Sequence, residues 1–283
     1  MRFASYETSG RQGLALQVGS GWRGLAKGDT GFPGTLQDLI EAATLTDAAR
    51  QLADAPEVDL AAVTLLPPLS HPEKIICIGL NYRDHSDESG FKQPDYPTVF
   101  GRFNSSLIAH GQPIIRPRVS EQLDYEGELV AVIGKTARNV FEAEALDHVA
   151  GYSIFNEASI RDYQFKSPQW TPGKNFDDTG AFGPDFVTAD ALPPGCVGLT
   201  LTTRLNGQVV QQAPISDMVF PVATLVSVLS SFMTLRPGDL IVTGTPSGVG
   251  LARKPPLWMK DGDVCEVEID GLGILSNPVQ DER

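Results

Sequence analysis

The sequence predicts a β-rich α+β fold, and three observations carry the prediction. Runs of strand length, apolar or alternating, recur along the whole chain and end in glycine or proline turns. Stretches with a helical period are few and short. One run, Leu123 to Gly134, is apolar on both strand faces yet carries two glutamates two residues apart. At 283 residues the chain is long enough for one large domain, or one large and one small. Pro67-Pro68, followed by Pro72, marks a boundary between a small unit of residues 1–66 and a larger one of 67–283.

Composition narrows the function classes. Hydrophobic residues make up 41% and charged residues 20%, as in ordinary globular proteins. A net charge of −13 argues against nucleic acid or an anionic membrane as the main partner. A small anionic substrate then needs a local positive site. Cys77, Cys196 and Cys265 are far apart with no C-x-x-C, so there is no zinc or redox signature, and a reducing compartment is expected. The N-terminus lacks an apolar signal region. The longest apolar-rich run, 218–235, contains Pro221 and five Ser or Thr residues, too polar to span a bilayer. A cytoplasmic protein without a membrane partner is expected.

The N-terminal unit opens with a hairpin, 13–18 and 22–26 flanking Gly19-Ser-Gly21. A helix begins at Thr35-Leu-Gln-Asp38 in the manner of a capping box, and a second covers 46–53. Nothing there carries chemistry. Residues 74–79 are a short apolar strand. If 80–88 is helical, His85 and Glu88 stand three apart on one face. A carboxylate beside imidazole raises its basicity and fixes its orientation, which makes the pair a candidate general base. A polar surface turn is the other reading. Residues 90–97 are rich in turn formers, as a lid would be.

In 123–134 the alternation puts Glu126, Glu128, Val130 and Val132 on one face and Leu129, Ala131 and Ile133 on the other. Strand rise sets the two carboxylates roughly 7 Å apart. In a dry interior such like charges need compensation. A hard divalent cation is the simplest; an exposed strand end with solvated glutamates is the alternative.

Residues 140–150 have a helical period, with Phe141, Ala145 and Leu146 or Val149 inward and His148 at the helix end. Near Asn156 a strand gives way to a helical turn, on which Glu157, Arg161 and Gln164 share one face. Glu157 is a candidate third carboxylate for a metal. Arg161 and Gln164 are candidates for binding a substrate carboxylate or carbonyl. A surface Glu–Arg pair explains the same spacing. The long loop 167–184 carries Lys174, a candidate for bringing positive charge to a carbonyl or enolate oxygen, or else a solvated lysine.

Asn206-Gly207 signals a two-residue hairpin, and Pro221 opens a helix to 235. The run 237–250 is a turn, a strand and a Gly-rich loop. It has neither the Gly-Lys-Ser/Thr of a P-loop nor a helix behind it, so both nucleotide readings fail. Its backbone N–H groups, with Thr245, suit a carboxylate. The last long strand, 262–270, turns Glu266 and Glu268 to solvent.

Five blocks, in order, carry a resemblance: Ile-Gly-Leu-Asn-Tyr-Arg-Asp-His; Asp-Tyr-Glu-Gly-Glu-Leu; Asn-Glu-Ala-Ser-Ile-Arg-Asp-Tyr-Gln; Gly-Lys-Asn-Phe; and Val-Thr-Gly-Thr-Pro-Ser-Gly-Val-Gly. From about Lys74 to its end the chain resembles the fumarylacetoacetate hydrolase family, in its bacterial acylpyruvate hydrolase and isomerase or decarboxylase branch. The resemblance implies a mixed β-roll with a small N-terminal domain, assembled as a homodimer. It implies Mg²⁺ or Mn²⁺, with Ca²⁺ in some members, on Glu126, Glu128 and Glu157. It also implies a His85–Glu88 pair on a lid helix, an active-site Lys174, and substrate held by Arg161, Gln164 and Thr245. The family usually has Asp where this chain has Glu157, so the third ligand reaches one methylene further. The implied reaction is hydrolysis of a C–C bond in an acylpyruvate-type diketo acid, a small anionic substrate. Oxaloacetate decarboxylation and hydroxy-dienoate isomerisation are alternatives on the same site, and a family member without catalysis is a third.

Overall fold

The computed structural model describes residues 1–83 and 95–283. His85, Glu88 and most of the candidate lid therefore lie outside the described residues. Gly127–Ile133 has all seven residues buried and sits inside the main sheet. Nine strands of that sheet run in the order Gly21–Ala26, Arg11–Val18, Arg2–Thr8, Gly180–Thr188, Val149–Glu157, Gly127–Ile133, Leu240–Val242, Ile75–Gly79, Thr98–Arg102. Thr64–Leu65 and Leu107–Ile108 pair off this path. Leu240–Val242 pairs parallel with Ile75–Gly79 while its other neighbour is antiparallel, so the sheet is mixed. The N-terminal strands join it through Arg2↔Val187 and Phe3↔Phe186.

Both faces of the central strand are covered, as the apolar pattern predicts. Leu129, Ala131 and Ile133 belong to one core cluster, with Leu201, Leu225 and Val267. Val130 and Val132 belong to the other, with Leu14, Leu36 and Phe182. The first face is roofed by a five-stranded sheet in the order Gln208–Pro214, Thr200–Leu205, Val264–Ile269, Gly273–Asp281, Ile114–Arg116. Close approach of this roof requires Gly127, where a Cβ would lie 2.2 Å from Thr203 Oγ1 and 2.9 Å from Val267 Cγ1. The other face takes the helices Leu36–Glu41 and Leu45–Ala53 through Leu36, Ile40 and Leu52.

Local chemistry fixes several elements as expected. Thr35 and Asp38 form a reciprocal capping box. Asn206 and Gly207 both take positive φ, which closes the tight turn between Leu205 and Gln208. Pro221 precedes the helix Val222–Phe232. Glu266 and Glu268 are partly exposed, and Glu268 pairs with Arg204 at 2.6 Å.

Two expectations are corrected. Residues 140–150 form a run of 3₁₀ turns, Glu142–His148, and then enter the strand Val149–Glu157. Val149 pairs with Ile133, so the chain must extend there. Ala145 is buried as foreseen, but Phe141 is 78% exposed. Glu157, Arg161 and Gln164 do not share one helix either. Glu157 ends a strand, and only Arg161–Gln164 is helical.

Candidate active site

The three glutamates meet where the central strands begin and end. Glu126 stands just before Gly127–Ile133, and Glu128 lies inside it. Glu157 ends the neighbouring strand, where its N–H bonds the Glu126 carbonyl at 2.9 Å. Gly127↔Asn156 pairing sets this register, and the Asn156 side chain accepts the Glu126 N–H at 3.0 Å. One carboxylate oxygen from each glutamate then falls within 4.8 Å of the others, with all three side chains buried.

Three cations surround them. The Lys174 ammonium, 2% exposed, bonds Glu126 and reaches Glu157 Oε2 at 2.9 Å. Lys174 ends a one-turn helix, Thr171–Lys174, pressed against Gln164: a Cβ on Gly173 would lie 2.3 Å from the Gln164 nitrogen. Arg161 places Nη2 2.7 Å from Glu126 Oε1 and donates through Nη1 to Gln164 Oε1 at 2.9 Å. Arg102 lies with Nη1 3.6 Å from Glu157 Oε1. Burial pulls the Lys174 ammonium down, but Glu126 and Glu157 more than offset it, so its pKa is raised. Burial likewise opposes the Arg161 charge, and Glu126 and Asp124 again push it up.

Glu128 differs from its neighbours. Among the described residues it forms no ion pair and accepts one hydrogen bond, from the Gly244 N–H at 2.5 Å. Burial, then the charges of Glu157 and Glu126, hold its carboxyl well above the usual carboxylate range, against the opposing pull of Lys174 and that N–H. Glu157 Oε1 is buried without a hydrogen-bond donor among the described residues. An all-oxygen donor set, in which one carboxyl forms no ion pair and one buried oxygen accepts no hydrogen bond among the described residues, fits a hard divalent ion. The added methylene of Glu157 leaves its carboxylate within the cluster.

The Gly-rich loop does hold carboxylates through its N–H groups, and they belong to the protein: Gly244 holds Glu128, while Gly250 and Leu251 hold Asp124 at 2.7 and 2.9 Å. Thr245 is buried. Its hydroxyl donates to the Gly127 carbonyl at 2.9 Å and accepts from Gln211 Nε2 at 2.8 Å. A cavity of about 40 Å³ opens on Glu126, Glu128, Glu157, Arg161, Gln164, Lys174 and Thr245, and its walls include Leu80, Phe100, Trp170, Val249 and Leu251. That is roughly room for three waters. Phe100 and Trp170 meet edge-on at 5.5 Å, and the Lys174 ammonium lies 5.3 Å from the Phe100 ring centre.

The sequence therefore nominates seven residues of this cavity. It misses Phe100 and Trp170 on the cavity wall, and Asp124 and Arg102 behind it. Asp124 and Arg102 do show one signal, a charged residue inside an otherwise strand-like run. All three cysteines are buried free thiols. Among the described residues no helix is long and apolar enough to cross a membrane.

Comparison with known proteins places the chain in a family. A family model described as Fumarylacetoacetate (FAA) hydrolase C-terminal matches residues 74–280. The chain is 40% identical over 289 residues to "Oxaloacetate tautomerase fahd2, mitochondrial" of Xenopus laevis, covering 99% of this chain and 90% of that protein. Its fold matches a fumarylacetoacetate hydrolase from psychrophilic Exiguobacterium antarcticum at TM-score 0.89, with 36% identity and all of both chains covered. It also matches maleylpyruvate hydrolase from Sphingobium sp. SYK-6, solved with manganese(II) and pyruvate, at TM-score 0.82 and 27% identity, again over all of both chains. With the family match spanning most of the chain and the fold shared over its full length, the protein belongs to the fumarylacetoacetate hydrolase family.

Proposed function

We propose that this protein interconverts the keto and enol forms of a small 2-oxo dicarboxylic acid of the oxaloacetate type. The observation that carries the reading is the meeting of three buried glutamates with Lys174 and Arg161 in one small cavity. The likeness to a tautomerase of that substrate over nearly the whole chain supports it over the acylpyruvate hydrolysis expected from the sequence.

In this reading Glu126, Glu128 and Glu157 would hold Mg²⁺ or Mn²⁺, which would supply Lewis acidity beside a 2-oxo acid. Arg161, steered by Gln164, pairs with the substrate carboxylate. The Lys174 ammonium faces the 2-oxo oxygen and offsets the negative charge that gathers there as the C3–H bond breaks. His85, backed by Glu88, takes the C3 proton, and a proton is returned to oxygen, so the reaction needs no co-reactant. Thr245, its hydroxyl held by Gly127 and Gln211, keeps the cavity wall rigid. The homodimer implied by the resemblance belongs to the same reading.

The test is the decay of the enol absorbance of oxaloacetate with the Mg²⁺-loaded protein. Decay faster than in buffer with Mg²⁺, and lost in His85→Ala, is expected. No acceleration, with cleavage of fumarylpyruvate or acetylpyruvate instead, would overturn the reading in favour of hydrolysis. Carbon dioxide release at the same rate as enol loss would make it a decarboxylase.

A further inference from the structure

We infer that Asp124 is a positioning residue for substrate binding, acting through Arg161 and through the loop that walls the cavity; this rests on the proposed role of Arg161. The Asp124 side chain is fully buried and touches no cavity surface. Its carboxylate divides its work. Oδ2 accepts the Arg161 Nε–H at 2.8 Å and the Leu251 N–H at 2.9 Å. Oδ1 accepts the Gly250 N–H at 2.7 Å and the N–H of Tyr125 at 2.9 Å. One group therefore fixes the cavity's guanidinium and the backbone of Leu251, a cavity wall.

The arrangement is built in from both sides. A Cβ on Gly250 would lie 2.6 Å from Asp124 Oδ1 and 1.9 Å from the Leu257 carbonyl, so only glycine lets the loop reach the carboxylate. With Nε held by Asp124, Nη1 by Gln164 and Nη2 beside Glu126, the guanidinium plane is set at three corners. A planar fork binds a carboxylate well only when that plane is fixed beforehand.

Asp124→Asn breaks one side of the carboxylate. The amide oxygen still accepts from the Gly250 and Tyr125 N–H groups, but the amide nitrogen, in the place of Oδ2, meets the Arg161 Nε–H and the Leu251 N–H donor to donor. Asp124→Ser, smaller and still an acceptor, is a second variant should the first not fold. The readout is binding of oxalate, a bidentate carboxylate probe, to the Mn²⁺-loaded protein by calorimetry, so the result stands whether or not oxaloacetate is the substrate. Expected is at least a tenfold weaker oxalate Kd, with the Mn²⁺ Kd within threefold of wild type. In an Arg161→Lys background the Asp124 change should weaken oxalate binding further by well under tenfold, since only the contact with the loop remains to be lost. Unchanged oxalate affinity, equal losses of oxalate and Mn²⁺ affinity, or full additivity with Arg161→Lys would each overturn the assignment.

Discussion

Lys174→Met is the sharpest perturbation of the candidate site. Methionine keeps an apolar stem of similar length and removes only the ammonium. That ammonium is 2% exposed and bonds Glu126 and Glu157. Removing one partner of a buried ion pair strands the other, at a cost of about 3–5 kcal/mol. For a domain of this size that lowers Tm by roughly 6–20 °C in metal-free protein. A divalent ion offers the glutamates the charge the ammonium had supplied. A hundredfold excess of Mn²⁺ over its Kd returns about 2.7 kcal/mol. The metal-free variant should therefore melt well below wild type, and Mn²⁺ should raise its Tm more than that of wild type, because the metal then competes with one cation fewer. Thermal unfolding with chelator and with Mn²⁺ checks both. A metal-free variant melting within about 2 °C of wild type, or equal Mn²⁺ shifts in the two proteins, would refute the charge argument.

Two further perturbations test the frame around the site. Burial pushes Asp185 up to about 6, although Arg2 opposes this with hydrogen bonds of 3.1 and 2.9 Å. The folded state then binds this proton more tightly than the unfolded state, so stability falls as pH rises from about 4 to about 6 and is flat above, by about 3 kcal/mol in all. Urea midpoints of wild type and Asp185→Asn should diverge across that window; parallel curves would remove Asp185 as the cause. Gly127→Ala drives a Cβ against Thr203 and Val267. Overpacking of this kind costs about 1–3 kcal/mol, and Thr203→Ala should recover part of it in urea unfolding.

Much of this was legible in the sequence because the signals are local. Period-two alternation is a property of a single strand, so the faces of 127–133 could be read without any partner, although the strand expected over 123–134 breaks at Tyr125-Glu126 and Leu123–Asp124 pairs with Ser159–Ile160 instead. The same holds for the Thr35 capping box and the Asn206-Gly207 turn. Legibility failed where a partner decides. A 3.6-residue period over 140–150 is compatible with a helix, but pairing of Val149 with Ile133 claims the end of that stretch for the sheet. The period of Glu157, Arg161 and Gln164 pointed to the right meeting for the wrong reason. Their convergence comes from a strand end beside a single helical turn.

Asp124 shows the limit most clearly. Two residues before Glu126, it has the local look of one more acidic residue in an acidic protein, and its neighbours in the chain say nothing of its task. What distinguishes it are the N–H groups of Gly250 and Leu251 and the guanidinium of Arg161, all brought to it by the fold. Glu126 and Glu128 are recognisable as candidates from their own strand because like charges in an apolar run demand an explanation. Asp124 shares that run, but its compensation arrives from 37 and 126 residues away, so its neighbours cannot separate its task from theirs. Its role can be read only once those contacts are in place, and for this reason the structure adds to the sequence mainly behind the cavity wall rather than on it.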